Sequence, residues 1–140
     1  MVTPVMSTTH ILIIEDEVLF ARAVVKRLEK AGYACTLTTT LAEGTAYAAQ
    51  HTPDLVLLDL RLPDGDGLEQ LTQLMRGRDD RPTPVIVMTA FGEIADAVRA
   101  MKLGAADYLK KPIDLEEMVL AVAATLHRAG VQQQLSWSRE

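Results

Sequence analysis

Four apolar runs in this chain end in residues whose types suit phosphoryl chemistry. Glu15-Asp16 follow Ile11-Leu12-Ile13-Ile14, Asp59 follows Leu57-Leu58, Thr89 follows Val87-Met88, and Lys111 stands before Pro112 just beyond Tyr108-Leu109. Three carboxylates converging on one crevice repel each other, which raises a pKa or destabilises the fold unless something neutralises them. A hard divalent cation does so, and magnesium suits best because it takes a few carboxylates and waters while sharing its coordination with a phosphoryl oxygen. The Asp59 carboxylate can attack phosphorus to form an aspartyl-phosphate. The Thr89 hydroxyl and the Lys111 ammonium are donors for the remaining phosphoryl oxygens as charge develops. Singly, each residue has a plainer reading as a cap, a turn former, a strand end or a solvated surface charge. Their joint placement at predicted strand ends is what favours chemistry.

The elements that must position them alternate along the chain. His10 to Ile14 is an isoleucine-rich run that stops at Glu15-Asp16-Glu17, as a buried parallel strand entering a polar loop does. Phe20, Val24, Val25 and Leu28 then recur at helical spacing over Val18 to Ala31, and Gly32 supplies a stop. Further strands are expected over Tyr33 to Leu37, Asp54 to Leu58, Pro84 to Met88 and Asp107 to Leu109. Further helices are expected over Leu41 to His51, Leu68 to Arg76, Glu93 to Leu103 and Leu115 to Arg128. Pro63-Asp64-Gly65-Asp66-Gly67 is dense turn chemistry, in which Asp64 and Asp66 are expected only to shape the turn. A strand, a helix and two loops take roughly 25 residues, so five such units fill most of the chain. Strict alternation implies a parallel sheet with right-handed crossovers, helices on both faces and the site beyond the carboxyl ends of the strands.

Composition narrows the classes. The chain has 140 residues, 49% apolar and 24% charged, enough for one core. No apolar run is long enough to span a bilayer, and the first nine residues lack a signal core, so a cytoplasmic location without membrane contact is expected. A net charge of -5 argues against direct contact with nucleic acid. The single cysteine, Cys35, is expected to pack as a small apolar residue, and His10, His51 and His127 show no metal-ligand spacing.

The segments Ile11-Leu12-Ile13-Ile14-Glu15-Asp16-Glu17, Leu57-Leu58-Asp59-Leu60-Arg61-Leu62-Pro63-Asp64-Gly65-Asp66-Gly67, Val87-Met88-Thr89-Ala90 and Asp107-Tyr108-Leu109-Lys110-Lys111-Pro112 resemble those of bacterial two-component response-regulator receiver domains. The resemblance implies an α/β, flavodoxin-like (βα)5 doubly wound sheet of strand order 2-1-3-4-5, a fold for which a member of this family is a standard example. It also implies Asp59 as phosphoacceptor, Glu15, Asp16 and Asp59 around Mg2+, and Thr89 and Lys111 on the phosphoryl group. Thr89 and Tyr108 are the implied switch pair, and Lys111-Pro112 the implied cis peptide, with Lys110 facing solvent. Glu15 stands where the family often has Asp, and its longer arm implies contact with the metal directly or through water.

The expected organisation is a flexible tail over 1–8, a receiver over 9–128, and a tail or linker over 129–140. The runs Thr89-Ala90-Phe91-Gly92 and Ala97 to Tyr108 look most similar to receivers of sigma-54-dependent AAA+ transcriptional activators and of regulators with a helix-turn-helix output. The expected partners are a sensor histidine kinase and a second copy, bound through the face of the fourth helix, fifth strand and fifth helix. On the last helix Leu115, Met118, Val119, Val122 and Leu126 form a docking stripe, and Leu120, Ala121, Ala123 and Ala124 fall outside it. The expected role is signalling, with catalysis confined to the domain's own phosphorylation and dephosphorylation. A stand-alone receiver acting by protein contact is the main alternative. An aspartyl-nucleophile phosphatase is disfavoured because Arg61 occupies the position where those enzymes place a general acid. A nucleotide- or flavin-binding module is disfavoured because Glu15-Asp16-Glu17 would repel its phosphate.

Overall fold

The computed structural model describes residues 4–77, 81–90, 93–131 and 134–137. The central sheet has five parallel strands: β1 (His10–Ile14), β2 (Ala34–Thr38), β3 (Leu55–Asp59), β4 (Val85–Thr89) and β5 (Asp107–Lys110). Their order is β2-β1-β3-β4-β5, so strand order reverses beside β1 and β3, where the acidic residues emerge. Five helices connect and follow them: α1 (Val18–Lys30), α2 (Leu41–His51), α3 (Gly67–Met75), α4 (Ile94–Leu103) and α5 (Leu115–Arg128). This is the expected doubly wound architecture.

Alternation along the strands divides the core. Leu12, Ile14, Val56, Leu58, Val85 and Val87 face one side, where Leu41 of α2, Leu68, Leu71 and Leu74 of α3, and Ala100 of α4 cover them. Ile11, Ile13, Leu55, Leu57, Ile86 and Met88 face the other, under Val24 and Leu28 of α1 and Met118, Val122 and Leu126 of α5. Residues of β3 and β4 are buried throughout because helices cover both faces, whereas edge strand β5 alternates between half-buried and exposed. On α5, Leu115 and Val119 pack at the margin of the core as expected, but Ala121 is also partly buried and Thr125 is buried among them.

Ordinary capping chemistry ends several helices. Thr40 accepts from the Glu43 N–H, Asp66 from Leu68, and Asp114 from Glu116 and Glu117. Gly104 closes α4 with φ 113°, a left-handed conformation that favours glycine. Asp64 does more than shape its turn: its two carboxylate oxygens accept from Leu41 N–H at 2.8 Å and Ala42 N–H at 3.0 Å, tying the loop after β3 to the start of α2. Outside the sheet, Pro4–Ser7 pairs antiparallel with Gln134–Trp137, where the sequence pattern carries no strand signal. Cys35 is partly buried against the α1/α5 side of the core, and burial pushes its thiol up to about 12, leaving it protonated.

Candidate phosphoacceptor site

The carboxyl ends of β1, β3 and β4 and the segment after β5 meet in one crevice. Asp59 is the last residue of β3 and is buried, and its Oδ1 accepts the Arg61 backbone N–H at 3.0 Å. Gly67 is needed behind it: a Cβ there would stand 3.0 Å from the Asp59 carbonyl oxygen and 3.1 Å from Leu60 Cα. Glu15 directly follows β1 and is fully buried, and its Oε2 accepts the Glu17 backbone N–H at 3.0 Å. Thr89 ends β4, buried, and its carbonyl accepts the Lys111 N–H at 2.7 Å, which fixes the backbone of the lysine beside the strand end. The Lys111-Pro112 peptide bond is cis. Lys110 is exposed, as is Tyr108 on β5.

Lys111 Nζ lies 2.8 Å from Glu15 Oε1, 3.0 Å from Glu17 Oε1 and 3.2 Å from Asp59 Oδ2, and 5.0 Å from the centre of the Phe20 ring. Burial alone would pull its ammonium toward neutrality, but the carboxylates of Glu15, Glu17 and Asp59 outweigh it and raise its pKa. The same burial raises the Glu15 carboxyl to about 7; the Asp59 charge adds to the rise, while Lys111 and the Glu17 N–H oppose it.

One carboxylate oxygen from each of Glu15, Glu17 and Asp59 lies within 4.8 Å of the others. Glu15 Oε1 is buried, with the Lys111 ammonium 2.8 Å away. Two buried carboxyl groups, Glu15 and Asp59, with the exposed Glu17 brought this close are a donor set that fits a hard divalent cation. Glu17 joins this group, whereas Asp16, half-buried on the same loop, lies outside it. The sequence pattern marks Glu17 only as part of the polar end of the first strand. Its membership follows from the loop's turn, which brings Glu17 N–H onto Glu15 Oε2 and its side chain back to Lys111.

Residues 11–123 match the family model described as the response regulator receiver domain, and the chain belongs to that family. It is 41% identical over 120 residues to the acid tolerance regulatory protein ActR of Rhizobium meliloti (strain 1021), covering 86% of this chain and 59% of ActR. It is 42% identical over 119 residues to the DNA-binding dual master transcriptional regulator RpaA of Synechocystis sp., covering 85% of this chain and 49% of RpaA. The chain therefore spans about half to three-fifths of the length of these curated relatives. Among solved structures, the signal receiver domain of a LuxO repressor-like protein from Vibrio parahaemolyticus is similar, with TM-score 0.80 and 31% identity, covering 89% of this chain and 94% of that one. Among the described residues, no helix is long and apolar enough to cross a membrane.

Proposed function

We propose that this receiver is a phosphorylation-controlled switch in which Asp59 accepts a phosphoryl group from a histidine-phosphorylated sensor kinase. The observation that carries the reading is the convergence of Lys111 Nζ and a cation-compatible carboxylate group on buried Asp59. An Asp59 carboxylate oxygen attacks phosphorus, the phosphorus–nitrogen bond to the donor imidazole breaks, and that nitrogen leaves with the electron pair and takes up a proton. Lys111 is placed to move from the carboxylates to a phosphoryl oxygen, and the buried Thr89 hydroxyl to donate to another. The residues we assign to holding Mg2+ are Glu15, Glu17 and Asp59, whose oxygens converge, and Asp16, which the resemblance to the family implies. The chemistry that ion supplies is neutralisation of the carboxylates and of the phosphoryl oxygens. Hydrolysis of the acyl phosphate resets the site, so the domain's catalysis is confined to its own modification.

The output we assign is transcriptional control through a segment outside this chain. The names of ActR and RpaA support a regulatory role, and the likeness of the 89–92 and 97–108 runs to receivers of sigma-54-dependent AAA+ activators supports that output class. Homodimerisation through α4, β5 and α5 fits the exposed apolar side chains there: Ile94, Val98 and Met101 at i, i+4 and i+7 on α4, Tyr108 on β5, and Leu120, 70% exposed, on α5. Peptide mapping by mass spectrometry after treatment with acetyl phosphate and Mg2+ tests the phosphoacceptor. The expected result is modification of Asp59 alone, lost without Mg2+ and in Asp59→Asn; modification elsewhere in the wild type overturns the assignment.

A further inference from the structure

Arg61 touches the phosphoacceptor with its backbone and a different element with its side chain. Its N–H donates to Asp59 Oδ1 at 3.0 Å. Its guanidinium lies across the start of α4, with Nε donating to Glu93 Oε2 at 3.2 Å and Nη2 to Asp96 Oδ2 at 2.8 Å. Glu93 is the N-cap residue of α4, yet its side chain makes no capping hydrogen bond, unlike Thr40, Asp66 and Asp114 at the starts of α2, α3 and α5. The other helix without a side-chain cap is α1, whose N-cap Glu17 is engaged by Lys111. In both uncapped helices, then, the carboxylate at the N-cap is held by a cation of the site. Helix α4 is also lightly anchored, since the residues it buries are only Ala97 and Ala100. The ion pairs to Arg61 thus add to the backbone hydrogen bonds that hold its first turn.

We propose that Arg61 is a positioning residue that couples the charge on Asp59 to α4. At rest it holds Glu93 and Asp96. A phosphoryl group on Asp59 adds negative charge beside the Arg61 backbone, draws the guanidinium away from α4 and loosens the helix's first turn. That turn carries exposed Ile94 and leads to Val98 and Met101, so its release reorganises the apolar face assigned above to self-association. The inference rests on the reading of Asp59 as phosphoacceptor. Because Arg61 is partly solvated, the bias is a several-fold change in population rather than an all-or-none latch.

Amide hydrogen exchange tests it on wild type, Arg61→Ala, Arg61→Lys and Glu93→Gln/Asp96→Asn, each with and without beryllium fluoride and Mg2+. In the resting proteins, Arg61→Ala and the double variant should speed exchange of the hydrogen-bonded amides 97–100 by about threefold. Arg61→Lys, which keeps the charge, should lie nearer wild type, with β3 and β4 unchanged throughout. Beryllium fluoride should speed the same amides in wild type and add little in Arg61→Ala. Equal resting exchange in all four proteins overturns the tether. A response at Asp59 in wild type without one at α4 overturns the coupling while leaving the phosphoacceptor reading intact. No response at Asp59 overturns that reading and the coupling with it, and the resting comparison still decides the tether.

Discussion

Lys111 and Glu15 hold each other in opposite electrostatic situations. The lysine keeps its charge because three carboxylates surround it, and Glu15 gives up its charge readily because it is buried beside Asp59. Removing the Lys111 ammonium leaves those carboxylates facing one another with nothing between them. We expect Lys111→Ala to lower stability by about 2 kcal/mol in urea titrations without Mg2+, and added Mg2+ to recover part of the loss. Lys110→Ala, a change at an exposed position, should leave Asp59 modification nearly intact while Lys111→Ala impairs it; equal losses of modification in the two variants would contradict the assignment. A second residue-scale prediction concerns His10, whose Nε2 lies 2.8 Å from Thr36 Oγ1 and 3.1 Å from Tyr47 Oη. Burial lowers its pKa below 6.5, Asp54 opposes the shift, and nearby His51 adds to it. The unfolded chain therefore takes up a proton near pH 6.5 that the folded chain resists, so this contribution to stability is complete above that pH and is lost as pH falls through it. Between pH 7.5 and 5.5 the wild type should lose more stability than His10→Gln; equal losses would show that His10 plays no part. At this scale Asp59, Thr89, Glu15 and Lys111 were legible because each terminates or follows an apolar run. Glu17 and Arg61 were not, since their roles depend on where long side chains reach across a crevice.

The elements were legible wherever a period was strong. Helix α1 follows its 3.6-residue stripe, and β1, β3 and β4 follow their apolar runs. Strands β2, β3 and β4 each begin one residue later than the pattern implies, and Glu93 is the N-cap of α4 rather than its first residue. Strand and helix ends are set by hydrogen-bond partners that a periodicity does not contain. The pairing of Pro4–Ser7 with Gln134–Trp137 likewise joins two distant segments, which no local pattern announces. Packing between elements yields a prediction at Gly44 in α2. A Cβ there would clash with Cδ1 and stand 2.7 Å from Cγ1 of Ile14, a fully buried side chain of β1. Helix propensity favours alanine over glycine by about 1 kcal/mol, but overpacking a close contact costs about 1–3 kcal/mol. The clash should win, with Gly44→Ala less stable by about 1 kcal/mol in denaturant titration; a more stable variant would mean that α2 shifts away from β1 at little cost.

For the whole molecule, alternation of strands and helices was enough to point to the carboxyl edge of the sheet, and the strand order reverses beside that edge. The exposed apolar face was legible only in part. Spacing on α5 singles out Leu120, whereas the larger exposed group on α4, with Ile94 65% and Val98 47% exposed, emerges only once Ala97 and Ala100 are seen to be the residues facing the sheet. Sedimentation at tens of micromolar should show association that rises with beryllium fluoride and Mg2+ and falls in Ile94→Glu/Leu120→Glu; a monomer under every condition would leave this face without the role assigned to it. The central claim, that charge placed on Asp59 is felt across the site and the α4–β5 face, is tested most directly by amide NMR spectra recorded as beryllium fluoride is added in the presence of Mg2+. The predicted result is a saturable change at Asp59, Thr89, Tyr108, Lys111 and the first turn of α4 in the wild type and none in Asp59→Asn. The same changes in Asp59→Asn, or an unaltered wild-type spectrum, would contradict it.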